Sequence, residues 1–222
     1  MSRTLVTGSA LGFTAGYVDT VGFVALFGLF TAHVTGNFVL IGSEMAQPTE
    51  SVLIKLLAFA AFIAAVAASR LLALSVERRG GPVHRLLLLL QGALLAACML
   101  CGWRAQPIVD AGAPWVLATG VLGAAAMGVQ NAAARLVYSD LAPTTVMTGN
   151  ATQLVLDLVE LLRRDTTDTG LRQRIRKLIW PLIAFACGAL CGAFACMRAS
   201  MWALALPLAI LFGLALTPSA QR

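Results

Sequence analysis

Six long, mostly apolar stretches, at 5–30, 52–74, 86–103, 115–137, 178–197 and 201–216, constrain this chain more than any other feature. A helix needs roughly 20 such residues to cross the hydrocarbon core of a bilayer. Lipid offers the backbone no hydrogen-bond partners, so a spanning segment closes its own bonds as a helix or joins a closed barrel. These stretches lack the in–out alternation of barrel strands. The expected fold is therefore all-α: an integral membrane helical bundle of six transmembrane helices. Composition agrees, because only 12% of residues are charged, about half the share in a soluble domain. Gly8, Gly12, Gly16 and Asp19 interrupt the first stretch and no cleavage site follows it, so it reads as a retained span and not a secretory signal.

The charge distribution gives a threading. With the N-terminus inside, all but Lys55, Arg104 and Arg198 of the 16 lysines and arginines fall on the inner side, Arg164 and Arg222 among them. The positive-inside rule then places both termini in the cytoplasm, and the location expected is the bacterial inner membrane. A net charge of +6 could suggest nucleic acid. The basic residues flank apolar spans without an aromatic-rich recognition module between them, so no nucleic-acid partner is expected.

The chain repeats itself. Sliding it until Gly8 meets Gly120 also sets Gly12 on Ala124, Gly16 on Gly128 and Asp19 on Asn131. One residue further along, Thr35-Gly36-Asn37 meets Thr148-Gly149-Asn150, and later Ala58-Phe59-Ala60 resembles Ala184-Phe185-Ala186. Two repeats follow, 1–104 and 113–222, with three spans each. Three is odd, so the second copy enters the membrane from the opposite face. Inverted repeats of this kind build many secondary transporters, with sites near the midplane where the halves meet.

The small residues Gly8, Gly12, Gly16 and Gly120, Ala124, Gly128 recur every fourth position, making smooth stripes that let helices approach closely. The first and fourth spans are expected to cross there, and such faces also suit a homodimer. Asp19 is the acidic residue set well inside an apolar span, where a charge costs roughly 2.5 to 3.5 kcal/mol. It serves either as interhelical glue or as the ionisable group of a central site for a proton or small solute, faced by Gln130 and Asn131.

Each Thr-Gly-Asn triplet reads as a break and restart, with Gly36 and Gly149 free to take positive φ and Asn37 and Asn150 placed to cap the next helix. Such breaks either line a transporter site, where fresh helix N-termini attract anions, or are capped turns at the membrane surface. After Asn150, Gln153, Asp157, Glu160 and Arg164 share one helical face and Leu154, Leu158, Leu161 and Leu162 the other. This is an amphipathic helix for the cytoplasmic interface. Arg172, Arg174, Arg176 and Lys177 beside it suit anionic lipid headgroups, or serve only to orient the chain.

Cys98, Cys101, Cys187, Cys191 and Cys196 sit inside spans without adjacent histidine or carboxylate, so they read as filler and neither a metal nor a cofactor is expected. His33 with Asp19 is too thin a constellation for a named reaction, and no catalytic residue is assigned.

Gly16-Tyr17-Val18-Asp19, Phe30, Thr35-Gly36-Asn37, then Met127-Gly128-Val129-Gln130-Asn131 and Thr148-Gly149-Asn150 together make the chain resemble the YoaK-like family of bacterial membrane proteins. The resemblance covers nearly the whole chain. It implies a multi-pass inner-membrane protein of a family without known function, so it bears on fold and not on activity. The leading functional expectation is a small secondary transporter or permease for a small solute, in contact with the lipid bilayer. The alternative is a non-transporting membrane scaffold or lipid-interacting protein.

Overall fold

The computed structural model describes residues 3–46, 51–163 and 169–217. Arg164 and Arg222, counted above among the inner cations, lie outside the described residues. All regular structure among the described residues is helical: α1 Arg3–Ala25, α2 Gly36–Ala46, α3 Val52–Glu77, α4 Val83–Arg104, α5 Pro114–Leu136, α6 Met147–Arg163, α7 Thr169–Ala199, a 3-10 turn Ser200–Leu204, and α8 Ala205–Leu216.

By length and hydropathy, four stretches among the described residues are able to cross a membrane: α3, α4, α5 and the run Thr169–Leu216. Six were expected, and the difference has two physical sources. The expected spans at 178–197 and 201–216 share one unbroken apolar run, divided only by the 3-10 turn. In the first span, glycines, threonines and Asp19 dilute the apolar content of α1.

The first span also ends sooner than expected. α1 stops at Ala25, and Phe27 and Gly28 adopt left-handed φ of 54° and 74°. The Gly28 N–H bonds back to the Phe23 carbonyl, a helix-terminating pattern that a run of apolar side chains does not reveal. Gly80, at φ 65°, closes α3 in the same way. Gly36 and Gly149 are absent from the positive-φ residues, so the triplets do not turn as expected.

Packing follows two close helix pairs, α1 along α7 and α3 along α5, with α4 against α5 and α8, and the short α2 and α6 lying on α3 and α7. The glycine stripes explain the first two. Beta carbons added at Gly12 and Gly192 would stand 2.7 Å from the Pro181 carbonyl oxygen and 2.6 Å from that of Tyr17. On the other pair, one at Gly128 would be 2.7 Å from the Phe62 carbonyl oxygen. The stripes thus face α7 and α3, not each other as expected. At these approaches Gly16 meets Phe185 and Gly128 meets Phe62, which departs from the Phe59–Phe185 pairing of the Ala-Phe-Ala triplets.

Leu11, Tyr17, Leu95, Met127, Met201 and Leu211 form the main buried cluster. Outside it, α3 and α7 expose Leu53, Leu56, Ile63, Leu71, Leu190 and Phe194, as a lipid-facing surface would. Trp103 and Trp202 pack with ring centroids 6.2 Å apart, so the end of α4 and the turn after α7 lie together.

Candidate functional site: two clamped chain reversals

After α1 the chain doubles back beside the helix it has just left. Asp19 lies six residues before the end of α1, about 9 Å along the axis, yet it reaches residues 31–33. Its Oδ1 accepts the backbone N–H groups of Thr31 and Ala32 at 2.7 Å each and of His33 at 3.4 Å, plus the Thr31 hydroxyl at 3.3 Å. A carboxylate is acceptor-only when ionised, and three converging amides supply donors that lipid cannot. Asp19 is buried, and Gly22 leaves room for Leu29 and Thr31 against α1.

The segment after α5 is held in a matching way. Asn131 Nδ2 donates to Thr145 Oγ1 at 2.6 Å, and Gln130 Nε2 donates to Thr144 Oγ1 at 3.0 Å and to the Leu11 carbonyl at 2.9 Å. Gln91 of α4 completes this network by donating to Gln130 Oε1 at 2.7 Å. Gln91, Gln130 and Thr144 are all buried, so four chain segments are tied together away from solvent.

The asparagines of the triplets close both reversals. Asn37 brackets the Phe30 peptide, accepting its N–H at 2.9 Å and donating to its carbonyl at 2.8 Å. Asn150 donates to the Pro143 carbonyl at 2.6 Å. The reciprocal bond is missing there for a covalent reason, because proline has no N–H. Asn37 and Asn150 sit within the first turns of α2 and α6 and reach back across the loop, so they are not the simple helix caps expected. Thr35, Thr148 and Gly149 are exposed and Gly36 is half-buried, so of each triplet only the asparagine points inward.

Among the described residues no hydrogen bond joins Asp19 to Gln130 or Asn131. Gln130 touches α1 at Leu11, eight residues before Asp19 and about 12 Å away along the helix. Two separate clamps take the place of one convergent cluster.

An ion pair fastens each short helix to the helix after it. Lys55 of α3, with a fully buried side chain, donates to Glu44 Oε1 of α2 at 2.6 Å, to Ser51 Oγ at 2.7 Å and to the Phe27 carbonyl at 3.0 Å. Asp157 of α6 takes a two-pronged bond from Arg174 Nε and Nη2 at 2.7 Å each, and another from Gln153 at 2.7 Å. The Arg174 bonds hold the Asp157 carboxyl below the usual carboxylate range. A lowered value stabilises the fold above the unfolded carboxylate range, and that contribution is lost as acid carries the group through its lowered value.

On α6 one residue from each expected face, Leu154 and Asp157, turns inward. Asn150, Leu154 and Asp157 are buried against the protein, while Val155, Leu156, Val159 and Leu162 are exposed, Leu162 at 86%. Arg174 on α7 holds Asp157 inward, while Gln153 of the same face stays exposed. Removing one member of a buried pair leaves the other desolvated, which costs about 3–5 kcal/mol. Lys55→Met is therefore expected to lower unfolding free energy in mixed micelles by about that amount. Lys55→Met combined with Glu44→Gln should recover part of the loss; equal losses in the single and double variants would show that the pair is not coupled.

Thr31, Thr144, Thr145, Gln91, Glu44 and Lys55 were missed as part of these clamps from sequence. Thr31 and Thr144 stand in the same register as the two triplets, and that was the signal available.

A bundle of long apolar helices with polar groups spent on internal clamps defines a multi-pass helical membrane protein. The chain belongs to the family described as "Protein of unknown function (DUF1275)", which matches residues 7–217. It is 29% identical over 213 residues to the UPF0700 transmembrane protein YoaK of Bacillus subtilis (strain 168), covering 94% of this chain and 91% of that protein. No solved structure matches it.

Proposed function

We propose that the protein is a permease for a small solute, built from two inverted repeats of three spans each, 1–104 and 113–222, in the bacterial inner membrane with both termini cytoplasmic. The observation that carries this reading is the pair of chain reversals. Each follows the first long helix of its repeat, each is held by a polar residue inside that helix, and each is bracketed by the asparagine of a Thr-Gly-Asn triplet. Discontinuous backbone held at depth by side chains is how secondary transporters make sites in the membrane. The Glu44–Lys55 and Asp157–Arg174 pairs support the same duplication. Trp103 beside Trp202 fits a threading in which the third and fifth spans end on one face.

In this reading Asp19 carries the proton or engages the solute, and the reversal it holds is the moving part. The test is flux into proteoliposomes under a pH gradient, with a panel of small anions and metabolites. Solute-dependent flux is expected for the wild type and is lost in Asp19→Asn. Absence of flux for every solute would favour the rival, a non-transporting scaffold or lipid-interacting protein. Threading is tested separately: a reporter fused after Ser43 should be periplasmic, and one within 166–170 cytoplasmic.

A further inference from the structure

One cavity owes nothing to the clamps. It has a volume of about 880 Å³ and lies where the start of α7 meets the start of α1, lined by Arg172, Gln173, Arg176 and Lys177 with Thr4 and Asp140 opposite. The spacing explains the convergence, since positions 172, 173, 176 and 177 share one face of the first turns of α7. Arg174 points elsewhere, committed to Asp157. Among the described residues, Arg172, Arg176 and Lys177 make no ion pair. Among the described residues that line it, three cations face one carboxylate, an excess of positive charge to which helix polarity at the start of α7 adds.

We propose that this cavity binds a phosphate group. Two guanidinium forks and an ammonium are the donor set that phosphate oxygens favour, and Thr4 and Gln173 add neutral donors. The cavity sits beside the N-terminal end of a membrane helix, the level at which basic pockets meet lipid headgroups. The phosphate belongs either to an anionic lipid or to a soluble ion. The site does not depend on the permease reading, so loss of flux and loss of phosphate binding are separate results.

The full chain in phosphatidylcholine nanodiscs is titrated in parallel with short-chain phosphatidylglycerol and with inorganic phosphate. Saturable binding of at least one is expected. It should weaken about 25-fold in Arg172→Gln/Arg176→Gln, since each of the two surface cations contributes about a factor of five. It should strengthen in Asp140→Asn, which removes the opposing charge; a merely structural effect would not give opposite signs. Arg78→Gln/Arg79→Gln, with equal charge loss on the exposed end of α3, should leave it unchanged. Lipid binding without phosphate binding assigns the site to a headgroup, and binding of both assigns it to the phosphate itself. No saturation with either probe, or an equal loss in Arg78→Gln/Arg79→Gln, overturns the proposal.

Discussion

Gly16→Val is expected to abolish recovery of folded protein from the membrane. Of the glycines on α1, Gly16 comes nearest to backbone: a side chain there would collide with the Phe185 carbonyl of α7, and Gly188 stands in the reciprocal relation to Phe13 of α1. A flexible side chain can swing away from an added methyl group. A carbonyl inside a helix cannot, so the helices must separate and give up their dispersion contacts along the whole crossing. Overpacking a core costs about 1–3 kcal/mol even where neighbours can adjust, and here the neighbour is fixed. Lipid is as apolar as the buried faces, so packing of this kind carries much of the helix association. Gly42→Val is the matched control, since an added β-carbon at Gly42 meets nothing within 4 Å. Monodisperse yield in mild detergent is the measurement. Equal yields from the two variants would show that the α1–α7 contact is not what holds the bundle.

The elements legible in the sequence were those whose character is a plain run of apolar residues. The stretches 52–74, 86–103 and 115–137 match α3, α4 and α5 to within a few residues, because length and hydropathy alone define them. The first stretch overran to Phe30 because Leu26, Phe27, Leu29 and Phe30 are as apolar as the helix before them. What ends α1 is a left-handed backbone at Phe27 and the pull of Asp19 on residues 31–33, and neither alters hydropathy. Internal repetition singled out Asp19, Asn131, Asn37 and Asn150, each of which bonds a chain reversal. It could not say what they bond, since the partners are mostly backbone atoms or threonines, whose types carry little information. Lys55 was counted as an outer cation and is wholly buried, because its partner Glu44 belongs to another helix, α2. The burial of Asp157 has a similar cause: its partner, Arg174, belongs to the next helix, beyond any periodic window.

Asp19→Ala and Asp19→Asn should part company, and their difference separates the clamp from any chemistry at the carboxylate. Alanine removes the acceptor of three backbone N–H groups in a segment where neither lipid nor a neighbouring strand replaces it. Each stranded buried donor costs about 1–3 kcal/mol, and Thr31 and Ala32 are buried while His33 is exposed, so Asp19→Ala is expected to lose at least about 2 kcal/mol. It should also release residues 29–35 from α1. Asparagine keeps an oxygen in the place of Oδ1, where all the bonds are made, and forfeits only the added strength of a charged acceptor, about 1 kcal/mol. Unfolding in mixed micelles gives the stabilities, and hydrogen exchange at Thr31 and Ala32 reports on the reversal directly. Protection should collapse in Asp19→Ala and persist in Asp19→Asn. Were Asp19→Asn as damaging as Asp19→Ala, the negative charge itself would be holding the loop, and its effect on flux could no longer be assigned to transport. If exchange stayed slow in both, the reversal would be held by Asn37 and by the packing of Leu29 and Thr31 against Gly22, and Asp19 would be left with a role only in what the protein carries.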